Sequence, residues 1–270
     1  MRKFFYLTIL ALAFVACKRN IEENKIKFTA FVSDETCPVN PQDTVGGGCL
    51  VGIRLLYPVA FADTAVLRNI QQEIIAQMFG DEYVGSTPQK IIGEFVNSER
   101  ENWQFAHDDF ASALDRAKRD VLLSFNTTLS SDIRFNKGGV LAYEISKSMY
   151  EGGVHGLAGR NFLLFNLKTG NLMTEEDVFK GDYNQVLSAA FVKNLRELAL
   201  SDNSDSDLAD NDFDDIFPNG NFYADDEGIT YLFHKDEIVA FDLDDDIEIF
   251  IPYKDIKAIL RRDSPIAVFF

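Results

Sequence analysis

The chain has 270 residues, 46% of them hydrophobic and 26% charged, which excludes a disordered protein and leaves room for one large domain or two small ones, each able to bury a core. Its formal net charge of −17 disfavours nucleic acid, whose phosphates repel such a surface, and suits a cationic partner steered in from solution. Acidity of this kind also keeps a protein soluble, so charge alone names no partner.

Arg2 and Lys3 precede an apolar run, residues 4–15, that is too short to span a bilayer as a permanent helix and ends in Val15-Ala16-Cys17. The arrangement resembles a bacterial lipoprotein signal peptide. That resemblance implies cleavage before Cys17, a diacylglycerol on its sulfur, and a body tethered at the membrane outside the cytoplasm, facing the periplasm or the cell exterior. An ordinary secretory signal with a chance cysteine is the alternative. Loss of Arg2 and Lys3 with the signal takes the charge from −17 to −19. Residues 1–16 are thus expected to be the signal and 17–24 a polar tether.

KIKFTAFVS (25–33) alternates and is expected to be a strand; CLVGIRLLY (49–57) is expected to be a second, stopped by Pro58. A Pro- and Gly-rich loop joins them, flanked by Cys37 and Cys49. With Cys17 given to the anchor these form an even pair, which in an oxidising compartment reads as one disulfide worth about 3 kcal/mol. Zinc is the rival reading, but no CxxC or nearby His adds ligands. Asp63 is a helix cap and Gly80 a terminator, with Val66, Ile70, Ile74, Ile75 and Met78 forming one core stripe between them. Thr87-Pro88 opens a second helical pattern extending to around Asp120, with a break near Trp103. Residues 121–135 turn β-like, and Asn136-Lys137-Gly138-Gly139 makes a turn.

The turn leads into the most distinctive segment, residues 138–179, read as two alternating strands broken by a Gly-Gly-x-His-Gly bend and closed by a Lys-Thr-Gly-Asn turn. Thr174-Glu175-Glu176-Asp177 has the form of a capping box on a short helix. Residues 183–200 make an amphipathic helix with Val186, Leu187, Ala190, Phe191 and Leu195 on one side. Between Arg196 and Lys235 there are eleven carboxylates and no Lys or Arg. Asp210, Asp212 and Asp214 alternate as in an EF-hand, yet Asp215 takes the position of the required Gly, so a solvated loop competes with weak calcium association. The last part reads as strand, Asp-Glu-Gly turn, strand, bend, strand, and a helix opened by Pro252.

Four motifs occur in order: YEGGVHG (150–156), NLKTGNLMTEEDVF (166–179), NFYADDEGITYLFHKDEIVAF (221–241) and IEIFIPYKDIKAIL (247–260). Together they resemble the extracellular PdaC/RsiV-type module, found ahead of the catalytic domain in some peptidoglycan deacetylases, as the outer part of a lysozyme-responsive anti-sigma factor, and in lipoproteins of unassigned role. Val154 and His234-Lys235 depart mildly from that pattern. The resemblance implies an α+β fold with mixed and antiparallel sheets and helices packed on them. It also implies two closely associated sub-domains, a PdaC-like one at 25–157 and an RsiV-like one at 161–262.

Only three histidines are present, and no deacetylase metal cage, HExxH, GxSxG or P-loop is found, so no catalytic residue, metal or cofactor is expected. The candidate binding residues are Tyr150, Gly152, Gly153, His155 and Gly156, because the glycine bend can present the imidazole at a surface. The favoured reading of a lone histidine is that the glycines serve backbone geometry while the imidazole bonds a neighbouring strand. The expected activity is non-catalytic binding in the cell envelope, with lysozyme or another cationic, peptidoglycan-associated protein as partner, the membrane reached through the lipid, and no nucleic acid. A peptidoglycan-acting enzyme, which needs paired carboxylates in a groove, and a structural envelope protein are the other readings. With sixteen residues before Cys17, no cytoplasmic sigma-binding segment is expected.

Overall fold

The structure, a computed structural model, describes residues 25–37, 48–110, 114–115, 118, 122–153, 155–201, 216–234, 237–238 and 246–270. The expected signal, Cys17, the tether and the acidic residues 202–215 lie outside them. Among the described residues, eight strands and five helices form two sheets with helices packed on them, an α+β fold.

The first sheet is mixed. Strands β1 (Lys27–Cys37), β2 (Gly48–Ala60), β3 (Ser124–Lys137), β4 (Val140–Glu151) and β5 (Leu157–Asn166) lie in that order. All neighbours are antiparallel except β2 and β3. A parallel pair needs a crossover, and helices α1 (Thr64–Met78) and α2 (Pro88–Phe110) supply it. The Asp63 carboxylate accepts the Ala65 and Val66 N–H groups at 2.8 and 3.2 Å, satisfying donors that the first turn of α1 leaves open. The α1 stripe, Val66 to Met78, is buried against Val51, Ile53 and Leu55 of β2 and Leu141, Tyr143 and Ile145 of β4. Cys37 and Cys49 are direct register partners in the β1–β2 ladder, and Cys49 is buried.

The second sheet is antiparallel: β6 (Phe222–Ala224), β7 (Gly228–Phe233) and β8 (Ile247–Pro252). Around it pack α3 (Glu175–Val178), α4 (Tyr183–Ser201) and α5 (Tyr253–Ile256). Leu187, Phe191 and Leu195 of α4 are buried with Tyr231 and Phe233 of β7. The same core takes Val140 and Ala142 of β4 and Leu164 of β5, while Leu141, Tyr143, Leu163 and Phe165 serve the first core. Two strands of the first sheet are therefore covered on both faces where the cores meet. A strand covered on both faces reads as a continuous apolar run, as VLAY and FLLF do, rather than as the simple alternation expected.

Three local expectations are corrected. Pro58 does not stop β2, which continues to Ala60. The β2–β3 ladder ends at Arg54 and the β1 register shifts at Lys27/Phe28, so the missing N–H of Pro58 costs no continuous ladder bond. Helix α2 passes unbroken through Trp103, which is buried in the first core with its indole N–H donating to Leu123 O at 2.7 Å; the expected extension toward Asp120 falls largely outside the described residues. Val186 of α4 is 38% exposed rather than part of the buried side.

The sub-domain boundary expected near residues 157–161 falls at the start of β5, which pairs with β4 along Val140–Met149. On the other edge of β5 the chain returns at Asn171–Met173, with Met173 N–H donating to Leu164 O at 2.7 Å and Asn166 N–H to Asn171 O at 3.0 Å, and farther along one side chain takes the place of a strand. Asn221 accepts the Phe162 N–H at 2.8 Å and donates to Arg160 O at 3.0 Å.

Candidate functional site

The glycine bend joins β4 to β5. Gly152 and Gly153 have φ values of 81° and 103°, in the left-handed region that favours glycine. At Gly152 a Cβ would come 2.1 Å from Leu122 O, so the position excludes side chains by contact as well as by angle. The Tyr150 hydroxyl donates to Gly153 O at 2.8 Å and ties the bend to its own strand. His155 and Gly156 are exposed, and a Cβ on Gly156 would lie 2.9 Å from Met149 O. The structure thus brings the five candidate residues together at one turn, with the Tyr150 hydroxyl bonded within it and Gly152 packed on Leu122.

A charged cluster lies where the two sheets meet. Glu144 on β4 is bonded by Arg134 on β3 and by Arg160 on β5, the latter at 3.0 Å. Both guanidiniums also bond Glu248 on β8, Arg134 at 2.9 Å. Phe162 lies beneath them, 5.5 and 5.9 Å from the two guanidinium carbons, and Tyr223 meets its edge at 4.7 Å. Burial alone would raise the Glu144 pKa, but hydrogen bonds and charge from Arg160 and Arg134 outweigh it and hold the carboxyl below its ordinary value. All four charges have partners, so the cluster fastens the sheets and offers no unspent group to a substrate.

The second polar region is a groove. It consists of two adjoining cavities that share Leu172, Met173 and Glu176: one of about 320 Å³ bounded by Phe162, Leu164, Glu175, Gly220 and Phe222, and one of about 550 Å³ between the 166–177 segment and residues 261–265. Its floor is positioned by the expected Thr-Gly turn. Gly170 has φ 79°, and a Cβ there would lie 2.7 Å from Val66 O, so the turn presses onto α1; Asn69 adds a bond to Thr169 O at 3.0 Å. The capping box forms as read, Asp177 accepting the Thr174 N–H at 2.9 Å.

That box sets two adjacent carboxylates. Glu175 accepts from the Tyr231 hydroxyl at 3.0 Å and the Gly220 N–H at 3.1 Å. The Tyr183 hydroxyl lies 3.1 Å from Glu176 and 3.5 Å from Glu175. Burial first, then these carboxylates, raise the Tyr183 pKa to about 12 and push Tyr231 well above its ordinary value, so both remain neutral donors. Across the groove, Arg261 is held by Asp263 at 2.9 and 3.2 Å. Ser264 is 7% exposed, and its buried Oγ has no hydrogen-bond partner among the described residues.

Sequence reasoning read the Thr-Glu-Glu-Asp run only as a cap and missed the two glutamates as surface chemistry. The available signal was that a capping box uses its first and fourth residues, leaving Glu175 and Glu176 without a structural duty. It also missed Glu144, whose signal was a lone carboxylate inside an apolar strand. Among the described residues, no group of three or more His, Cys, Asp or Glu side chains is placed to hold a metal, and no helix is long and apolar enough to cross a membrane.

No curated protein matches the chain. Among solved structures, a member of the DUF3298 family from Bacteroides fragilis is 24% identical with a TM-score of 0.78, covering 92% of this chain and 98% of that one. A DUF3298 family protein from Pseudomonas aeruginosa is 15% identical with a TM-score of 0.56, covering 88% and 96%. Residues 176–254 match the family model described as "Protein of unknown function (DUF3298)". The family match thus runs from Glu176 of the groove to the start of α5, and the chain shares its fold with two solved proteins of that family.

Proposed function

We propose that the chain is a PdaC/RsiV-type module carried on a lipidated cysteine in the bacterial cell envelope, with a Cys37–Cys49 disulfide and sub-domains near 25–157 and 161–262. Its role is non-catalytic binding of a cationic, peptidoglycan-associated protein, of which lysozyme is the case the resemblance implies. The observation that carries this reading is the unbalanced acidity of the molecule: a net charge of −17, with Glu175, Glu176, Asp182 and Glu227 in no ion pair among the described residues. Such charge favours encounter and register with a positive surface, most strongly at low salt.

The test is retention of hen lysozyme on immobilised mature protein at low and at moderate salt. Binding at low salt that declines as salt rises is expected; no retention at either discards lysozyme as the partner. The reading also expects no release of muropeptides from peptidoglycan incubated with the purified protein.

A further inference from the structure

We infer that the groove between the 166–177 segment and residues 261–265 is the site that receives the cationic partner, and that it takes a lysine or arginine side chain flanked by apolar residues. This rests on the binding-module reading and assigns it a place. Two features converge. The walls are mixed: Phe162, Leu164 and Met173 are apolar, while Glu175, Glu176 and Asp177 stand beside them. That pairing suits a side chain with a hydrocarbon stem and a charged tip.

The charge balance excludes an anion. Among the described residues that line the groove, Arg261 is the sole cation, and Asp263 already grips it from two sides. Among the described residues, the Glu175 and Glu176 carboxylates are approached by neutral donors, from Tyr183, Tyr231 and the Gly220 amide, while Arg261 Nη1 donates to the Glu176 backbone carbonyl at 3.4 Å. The tyrosines and the amide orient the carboxylates without neutralising them.

The experiment titrates isotope-labelled protein with a blocked Ala-Leu-Lys-Leu-Ala peptide and follows backbone amide shifts by NMR. Saturable shifts are expected at Leu172, Glu176 and Ser264, and none from the matching peptide with Glu in place of Lys. Glu176→Lys should weaken the interaction by at least tenfold, whereas Glu101→Lys, an equal charge change on the exposed side of α2, should stay within about twofold. Absent shifts, shifts elsewhere, or indifference to Glu176→Lys overturn the assignment. If lysozyme is not retained while the peptide still shifts the groove, the named partner falls and the site stands. If lysozyme is retained equally by wild type and Glu176→Lys, the groove falls and the module reading stands.

Discussion

At the scale of single residues, the glycine bend and the arginine-bridged glutamate make opposite demands on substitution. Gly152→Ala adds a Cβ against Leu122 O at a left-handed angle and should cost about 2 kcal/mol or more, whereas Gly153→Ala, with open space at its Cβ, should cost about 1. Thermal unfolding of the two variants checks the difference. Glu144→Gln leaves Arg134 and Arg160 half-buried with one carboxylate fewer. Removing one partner of a fully buried pair costs about 3–5 kcal/mol, and the partial exposure here brings the expectation to roughly 2. Because the folded-state pKa of Glu144 is depressed, its contribution is complete above the unfolded carboxyl value and is lost as pH falls through the depressed one. The melting-temperature gap between wild type and Glu144→Gln should therefore be widest near neutrality and close on acidification. The bend was legible as backbone geometry because glycine's freedom is a property of the residue. The glutamate's importance was not, because its value depends on two arginines from other strands.

Among the elements, the caps and turns were the most legible parts, since Asp63, Thr174 with Asp177, and Thr169-Gly170 act within a few residues of themselves. The extent of β2 and α2 was less so. Pro58 and Trp103 are governed by where a distant ladder ends and by the Leu123 carbonyl, neither of which is local in sequence. The groove was hidden for the same reason: its two walls are separated by about ninety residues of chain. The β1–β2 hairpin offers a direct check on the anticipated cross-link. Placing Cys37 and Cys49 opposite each other is compatible with a bridge, and a bridge there should contribute about 3 kcal/mol. Oxidised protein should show no titratable thiol at Cys37 or Cys49 in denaturant, and Cys37→Ser/Cys49→Ser should melt at a lower temperature.

For the molecule as a whole, β4 and β5 sit in both cores at once, and the arginine cluster joins β3, β4 and β5 to β8. Neither sheet can open without exposing part of the other's interior, so denaturant should unfold the described body in one transition, seen alike by tyrosine and tryptophan fluorescence. Separate midpoints would show that the halves are held more loosely than their shared strands imply. The Asn221 amide has a further consequence. By bonding the backbone at Arg160 and Phe162, it closes the part of that rim that the Asn171–Met173 return leaves open to an incoming chain. The asparagine and the return thus guard together against runaway self-assembly, and Asn221→Ala should raise the concentration-dependent aggregation of the protein as read by light scattering.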